Sequence, residues 1–462
     1  MEQNIYAGIL ERGVELGASQ IEIYHVRKTG ESVIWRERGV ASIEISTLDR
    51  FGIRVLVDGK TGFASTTSAE SLEDSLIRSI EASRLASSGF TSVFDLTETG
   101  GEKAGKSGDV VSEISFFPTG GVPFCETINY DDKLITSGRG DLIRLAEKIG
   151  SKLEDGYPGP AWEVRLGKAS VRKRILSTLG VDAAHISTKF WVDINGTLAV
   201  PGEIFTAGDY VSSASFDMID FPILIDGVMD RFRYARKLSR VSSGRMPIVF
   251  TPRGTAAILR VLSSLVVPEA LMGGSNPLTG EKDRLIAPEW MDIYDDPHLD
   301  WGVMTSPIDD EGFATNPTPI IEAGVFRGGI GSLSEPDPIR SGSTGNCFRD
   351  GDCRPRVGIT TLTLEEGDVP FSTMISSIDK GLVADGIMGL TSRADGTFSM
   401  GLQTGYLVEN GEIQGRVRDV MISGSIMDFF HSCELTGCGG RLCEDRFFAP
   451  PVLVSGFLVT SA

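Results

Sequence analysis

Residues 3–26, QNIYAGILERGVELGASQIEIYHV, place a helix directly before a strand and so decide the class of fold. The apolar residues of the first part recur near helical spacing: Ile5, Ile9, Leu10 and Leu16. That period predicts an amphipathic helix over residues 3–17, which Gly17 ends. From Ile21 to Val26 apolar and polar side chains alternate, which is typical of a half-buried strand. The stretch therefore indicates an α+β fold.

More strands and a second helix follow along the chain. Alternation predicts three further strands, over Ser32–Glu37, Val40–Ile45 and Gly52–Val57. The last of them runs into Asp58-Gly59, a common hairpin turn. A second helix opens at Thr67, because Thr67 and Glu70 have the spacing of a capping box. This order predicts an N-terminal domain in which helices cover one face of an antiparallel sheet.

The rest of the first half continues this mixture of helix and strand. Residues 95–109 are rich in Gly, Lys, Thr and Glu, which predicts a surface loop. A helix fits Asp141–Leu153, whose leucines and isoleucine recur at helical spacing. Trp162–Val211 is mostly strand-like, and Asn195-Gly196 within it predicts a hairpin turn.

A charged segment that then carries Ser and Gly, Asp230–Ser243, separates two regions of different composition. The chain has 462 residues, which is long for one hydrophobic core. We therefore assign residues 1–235 to the N-terminal α+β domain and residues 236–462 to a second domain.

The second domain is predicted to be rich in strands. A short strand, Pro247–Phe250, leads into a helix from about Gly254 to Val267. Asn410-Gly411 predicts a hairpin turn between Tyr406–Val408 and Val417–Ile422. The uncharged tail from Phe447 to Ala462 contains two prolines and reads as a terminal buried strand. We expect a mixed barrel or sandwich.

Charge argues against a nucleic-acid partner. The chain carries 44 basic and 63 acidic residues, a formal charge of −19, which repels phosphate backbones. Its basic clusters, Arg172–Arg174 and Arg231–Arg240, are interpreted as solvated faces. The residues Met1–Asn4 lack a signal-peptide pattern, and no uncharged run reaches the ~20 residues of a membrane span. We expect a cytoplasmic protein with no membrane or direct nucleic-acid partner.

Cysteines and histidines offer one candidate metal cluster. Four such residues fall close together near the C-terminus: His431, Cys433, Cys438 and Cys443. Zinc accepts one imidazole and three thiolates, but these intervals match the usual paired spacing only loosely. Free thiols are the favoured interpretation, with metal binding and redox pairing as alternatives. Cys347 and Cys353 could also meet, although a reducing compartment favours thiols throughout.

An acidic run offers a candidate acid/base site. Asp309-Asp310-Glu311 stands directly before Gly312, and paired carboxylates can move protons. A solvated turn ending in glycine is the simpler interpretation, and we favour it. None of the four histidines is followed by Glu, so the chain has no HExxH-type zinc motif.

Several segments in the second half resemble the TldD/PmbA ("gyrase modulator") protease family. They occur in the family's order, which strengthens the joint signal: Ser306–Gly312 resembles its D-x-E-G segment, Ile320–Val325 its I-I-E-x-G strand, Ser343–Asn346 its S-T-G-N loop, Val408–Ile413 its V-E-N-G-E-I hairpin, and Ile422–Ser425 its I-x-G-N strand start. Ser425 stands where the family usually has Asn. The resemblance covers nearly the whole chain and is sharpest from Arg245 to Leu458.

In the TldD-like branch, the helix after the strand that corresponds to Pro247–Phe250 carries H-E-x-x-x-H. The two histidines there would bind zinc together with a cysteine near the C-terminus. Here the corresponding positions fall at Arg260, Val261 and Leu265, which cannot coordinate zinc or act as a general base. Residues Phe447–Pro451 also lack the cysteine. The resemblance thus implies the PmbA-like branch, also called TldE, with no catalytic residue, cofactor or metal ligand.

The resemblance implies a non-catalytic subunit of a heteromeric TldD-type zinc metalloprotease. Its partner would be a TldD-like protease subunit, and its clients peptides or unfolded polypeptides. A homodimer or heterodimer is expected. The alternatives are a peptide-binding scaffold without protease association, and an enzyme using either the cluster at His431–Cys443 or the carboxylates at Asp309–Glu311.

Overall fold

The computed structural model describes residues 2–86, 125–200, 202–340 and 342–461. In the N-terminal half, its elements follow in this order: α1 (Glu2–Glu15), β1 (Gln20–Arg36), β2 (Gly39–Val57), β3 (Lys60–Thr66), α2 (Leu72–Leu85), α3 (Asp132–Thr136), α4 (Arg139–Gly156), β4 (Ala161–Ser177), β5 (Asp182–Val200), β6 (Glu203–Ser213) and α5 (Phe221–Ala235). The predicted loop at residues 95–109 lies outside the described residues.

The six strands form one antiparallel sheet in the order β3-β2-β1-β4-β5-β6. Ile21 and Ile23 of β1 pack in a core with α1 and α2. Val33 and Trp35, on the same face of that strand, pack in a second core with α4 and α5. The predicted α+β arrangement, with helices on one face, is confirmed.

Long strands replace several shorter predicted ones. The strand predicted at Ile21–Val26 is part of β1, and the one predicted at Ser32–Glu37 runs one residue past its end at Arg36. Those predicted at Val40–Ile45 and Gly52–Val57 are parts of β2. The hairpin turn predicted at Asn195-Gly196 is wrong, because both residues lie inside β5. A Cβ on Gly196 would lie 2.5 Å from atoms of Phe232 and Trp162, so close packing explains this glycine.

The C-terminal half contains many short elements: β7 (Gly244–Phe250), α6 (Pro252–Leu265), α7 (Pro268–Leu271), β8 (Ile293–Asp295), β9 (Thr318–Glu322), β10 (Val325–Phe326), β11 (Cys347–Arg349), β12 (Pro355–Val357), β13 (Leu362–Leu364), α8 (Phe371–Ser376), β14 (Lys380–Ser392), β15 (Thr397–Glu409), β16 (Glu412–Arg416), β17 (Val420–Ser425), α9 (Ile426–Ser432), β18 (Cys433–Thr436), β19 (Arg441–Cys443), β20 (Phe447–Ala449) and β21 (Val452–Ser461).

Five of these strands close into a barrel in the order β14-β7-β21-β17-β15, because β15 pairs back onto β14. A second sheet has the order β10-β9-β8-β13-β20-β19. Helix α6 packs in the core shared by barrel and sheet, as predicted. The Asn410-Gly411 turn is confirmed by positive φ at both residues. Its second strand, however, is Glu412–Arg416 rather than Val417–Ile422.

Among the residues that the structure describes, no helix is both long enough and apolar enough to span a lipid bilayer.

Candidate functional site between the two halves

The acidic loop Asp309–Glu311 lies against the N-terminal sheet and is buried at all three side chains. Gly312 has φ +82°, and a Cβ there would lie 2.9 Å from Val181 Cγ1. The glycine therefore permits both the left-handed backbone and the close approach to the sheet. The interpretation of this run as a solvated turn is wrong, because the turn is covered by the other half of the molecule.

Glu311 belongs to a buried ionic chain that crosses between the halves. Arg54 on β2 donates to Glu311 Oε1 at 2.7 Å and to Glu22 Oε2 on β1 at 2.7 Å. Arg349 on β11 forms a further ion pair with Glu22. Two carboxylates thus face two guanidinium groups, which balances the charge that burial would otherwise make costly.

Asp310 and Asp309 are saturated by hydrogen bonds. Asp310 accepts from Lys173 Nζ at 2.7 Å, from the Tyr24 hydroxyl at 3.3 Å and from a backbone N–H of β11. Asp309 accepts three backbone N–H groups, including that of Cys347 at 3.1 Å. Because these bonds fix each carboxylate within the protein, the geometry favours a structural role over proton transfer to a substrate.

Their pKa values reflect these surroundings. Burial would raise the pKa of Glu311, but the Arg54 guanidinium and the Ser334 hydroxyl hold it below its usual value. Burial and the neighbouring Glu311 carboxylate raise the pKa of Asp309. Burial and Asp310 also raise the pKa of Tyr24, which stays a neutral donor. Glu311 is therefore the anion that Arg54 neutralises.

A cavity of about 210 Å³ lies beside this loop, between strands β4 and β5 and the residues around Thr305. Its charged and titratable lining consists of Lys173, His185, Asp309, Asp310 and Cys347. His185 Nε2 contacts Asn129 Nδ2 at 3.0 Å, an arrangement in which the amide donates to a neutral ring. Burial and the Lys173 ammonium lower the pKa of His185 to about 4. At neutral pH the cavity presents an uncharged imidazole, which is a weak base.

A second ionic cluster joins the halves on another side. Asp385 of β14 accepts from Arg231 Nε of α5 at 2.7 Å and from the Thr251 hydroxyl at 2.9 Å. Asp209 of β6 accepts from Arg441 Nη2 of β19 at 2.8 Å. Arg231 is thus buried in an ion pair, so the solvated-face interpretation of its cluster is wrong at this residue.

The interpretation of the other basic cluster, Arg172–Arg174, as a solvated face is also wrong at one residue, Lys173. The Lys173 side chain is about three-quarters covered and its ammonium is paired with Asp310, whereas its neighbour Arg174 pairs with Asp182 on the adjacent strand. The run Arg172–Arg174 therefore contributes one cation to the contact between the halves.

Helix α6 carries the three positions that the resemblance assigns to a zinc motif. The helix begins after Thr251, whose hydroxyl caps it, and has Pro252 in its first turn. Val261 and Leu265 are 1% and 2% exposed and belong to the core. Arg260 points to the opposite, exposed side and forms an ion pair with Glu444.

These residues do not fit a zinc ion. Two aliphatic side chains offer no lone pair, and a guanidinium is a permanent cation. The nearby Cys443 is buried, and burial raises its pKa to about 11; a single thiol leaves the ligand set of a zinc site incomplete. The donor set on α6 and β19 therefore disagrees with a metal at this position.

The four residues of the candidate metal cluster are not brought together as ligands. His431 lies on α9, Cys433 and Cys443 are buried on β18 and β19, and Cys438 is exposed. Within residues 2–86, 125–200, 202–340 and 342–461, no group of three or more His, Cys, Asp or Glu side chains is arranged to bind a metal ion. All six cysteines are free thiols in the structure.

Several residues of the contact between the halves could not be predicted from the sequence, among them Glu22 and Arg54 of the first ionic chain and Asp209 and Asp385 of the second. Glu22 and Arg54 stand in predicted strands, where a charged residue normally marks the solvent face. Here the "polar" face of β1 is covered by the second half instead. The signal that was available is Ile21-Glu22-Ile23-Tyr24, where a tyrosine shares the face of the charged residue.

Matches to two family models define the class to which this chain belongs. Residues 21–87 match the family model of the PmbA/TldA metallopeptidase domain 1, and residues 243–461 match that of the PmbA/TldA metallopeptidase C-terminal domain. Together these two matches cover more than half of the chain. The chain belongs to the PmbA/TldD family.

Particular relatives agree with this assignment. The chain is similar to TldE from Thermococcus kodakarensis, with a TM-score of 0.85 over 99% of this chain and 100% of that one, at 18% identity, which shows a common fold. It is 22% identical to the metalloprotease PmbA homolog of Haemophilus influenzae over 91% of this chain and 87% of that protein. It is 26% identical to the Buchnera aphidicola homolog, but over only 48% of each protein.

Proposed function

We propose that this chain is the non-metal, PmbA/TldE-like subunit of a heteromeric TldD-type metallopeptidase that processes peptides and unfolded polypeptides in the cytoplasm. The observation that carries the proposal is the state of helix α6. Val261 and Leu265 are packed in the core where the resemblance places a glutamate and a histidine, and Arg260 is held by Glu444.

A protein of this family without the metal ligands can contribute to peptide hydrolysis by supporting a partner that retains them. The ionic contacts between the halves support that role, because they hold one arrangement of the sheet and the barrel for a partner to bind. In this proposal the TldD-like partner provides the metal and the catalytic glutamate, and this chain provides shape and binding surface.

The experiment compares peptide degradation by this chain, by the TldD-like protein of the same organism, and by the two mixed. We expect no hydrolysis by the chain alone and hydrolysis by the mixture well above that of the partner alone. Elemental analysis of the separated subunits should find the zinc in the partner. A chelator should stop the mixture, and added zinc should restore it.

The other outcomes are equally informative. Hydrolysis by this chain alone would overturn the proposal. Full activity of the partner in its absence would favour the alternative, a peptide-binding scaffold without protease association. A matched control is Glu444→Gln, which releases Arg260 on the surface but leaves Val261 and Leu265 in place. If Val261 and Leu265 only fill the core, Glu444→Gln should leave the activity of the mixture unchanged.

A further inference from the structure

A thiol and an imidazole meet at the surface, outside the buried ionic chains. Cys125 Sγ lies 3.1 Å from Nε2 and 3.8 Å from Nδ1 of His298. The cysteine is exposed and the histidine is half-buried. The two residues are 173 positions apart, so the fold and not the local sequence brings them together. Cysteine with histidine is one of the pairs from which proteins build nucleophilic sites.

Backbone hydrogen bonds hold the segments that carry the two side chains. Close to Cys125, the carbonyl of Ile128 accepts the backbone N–H of Trp301 at 2.7 Å. The backbone N–H of His298 donates to Oδ1 of Asp296 at 2.8 Å, which forms an Asx turn. The segment with the thiol is therefore bonded directly to the loop with the imidazole.

The hydroxyl of Thr315 determines which nitrogen of His298 carries the proton. Thr315 Oγ1 donates to the carbonyl of Ser306 at 2.6 Å, so its oxygen can only accept at its second contact, 3.0 Å from His298 Nε2. Nε2 must therefore be an N–H group, and in the neutral ring Nδ1 has the lone pair. The same N–H also faces Cys125 Sγ, where it would stabilise a negative charge on the sulfur.

We propose that Cys125 is a reactive thiol that exchanges with small disulfides, with His298 as its general base. The Sγ proton moves to Nδ1, and the sulfur attacks one sulfur of the disulfide. The S–S bond of the reagent breaks, a new S–S bond forms at Cys125, and the released thiolate takes up the proton from His298. Cys125 is thereby oxidised to a mixed disulfide, and half of the reagent is reduced to a thiol.

The base is needed because Cys125 alone would be a poor nucleophile. Burial raises the pKa of the Cys125 thiol, and a hydrogen bond from its own backbone N–H only partly offsets this. The thiolate is the attacking species, so the reaction near neutral pH depends on transfer of the proton to His298. All six cysteines are free in the structure, so Cys125 is not already held in a disulfide within the chain. The inference does not depend on the proposed association with a protease.

The test compares two exposed thiols of the same chain. Cys438 is the matched control, because it is also exposed and, among the described residues, its thiol forms no hydrogen bond with a histidine. The full-length variants Cys438→Ser and Cys125→Ser each leave one exposed thiol to react with dithiodipyridine, an uncharged disulfide that the charge of −19 does not repel. The released thiopyridone is followed by absorbance, and mass spectrometry of a digest assigns the modified cysteine. At pH 7 we expect Cys125 to react at least about tenfold faster than Cys438, since a positioned base contributes about 10²–10⁴-fold.

A second measurement separates proton transfer from accessibility. On the Cys438→Ser background, His298→Gln should slow Cys125 at least about tenfold at pH 7, and this difference should shrink at about pH 10, where thiols ionise without a base. Thr315→Val should also slow the reaction, and Thr315→Ser, which keeps the hydroxyl, should restore it.

Four results would each overturn the proposal. The first is a Cys125 thiol that reacts no faster than Cys438 at pH 7 in chains that carry the native His298. The others are an unchanged rate in His298→Gln, a loss of rate that is equally large at both pH values, and a native rate in Thr315→Val.

Discussion

Changing Glu311 to glutamine removes one negative charge from the buried ionic chain and keeps the shape of the side chain. Glu311 accepts from Arg54 Nη1 at 2.7 Å, from the backbone N–H of Leu333 at 2.9 Å and from both the N–H and the hydroxyl of Ser334. A glutamine has one acceptor oxygen, so its NH2 group would face some of these donors and could not accept hydrogen bonds from them. Breaking a buried pair from one side costs about 3–5 kcal/mol. We expect Glu311→Gln to lower the free energy of unfolding by that amount.

The assay is urea denaturation at pH 7 of four proteins beside the wild type: Glu311→Gln, Arg54→Met, the double variant and Glu444→Gln. Removing both charges avoids an unbalanced buried ion, so the double variant should be more stable than the sum of the two single losses predicts, by at least about 1.5 kcal/mol. Glu444 is the matched control, since its ion pair is exposed and such pairs contribute about 0–1 kcal/mol.

The effect should depend on pH in a defined direction. The folded-state pKa of Glu311 is below its usual value, so its stabilisation is present above the unfolded pKa of about 4.3 and is lost as the pH falls through the folded pKa. The difference between wild type and Glu311→Gln should therefore shrink in strong acid. A loss below about 1 kcal/mol at pH 7, no larger than that of Glu444→Gln, would refute the assignment of Glu311 to a buried ionic contact.

Three further predictions concern the histidine, the helix and the thiols. His185, with a folded pKa of about 4, should make the protein less stable as the pH falls from about 6.5 towards 4, and His185→Gln should reduce this slope in denaturation curves; an imidazole NMR titration above pH 6 would contradict it. Val261→Glu with Leu265→His should cost about 1–3 kcal/mol per site without binding zinc, and one zinc per chain by elemental analysis would overturn our account of α6. Thiol titration of the native chain should detect the exposed Cys125 and Cys438 quickly and all six thiols only after denaturation; a total below six would reveal a disulfide.

Elements controlled by local signals could be predicted from the sequence. Asp58-Gly59 and Asn410-Gly411 are turns because both residues adopt positive φ, which depends on the residues themselves. Helix α6 lies within two residues of its predicted limits. Asn195-Gly196 has the same kind of sequence but lies in a strand, because Phe232 and Trp162 pack over the glycine. That contact depends on residues far along the chain, which a short pattern cannot contain.

The family could also be predicted, since motifs of the second half resemble it and the family models agree. The contact between the halves could not. Glu22 and Arg349 are 327 residues apart, and although Tyr24 shares the strand face of Glu22, nothing close in sequence to either residue identifies the other as its partner. Alternation predicted which residues share a face of β1, but it could not tell that the face with Glu22 would be covered by protein.

The ion pair between Glu22 and Arg349 has a consequence for the chain during its synthesis. A ribosome adds about 5–20 residues per second, so the 327 residues between them take roughly 15–65 s to appear. The first sheet can be complete once β6 ends at Ser213, but until Arg349 appears the face that carries Glu22 still lacks its cover and meets water or other nascent chains. Docking of the loop and β11 onto this face must therefore come late, and cellular chaperones have their opportunity to act before it.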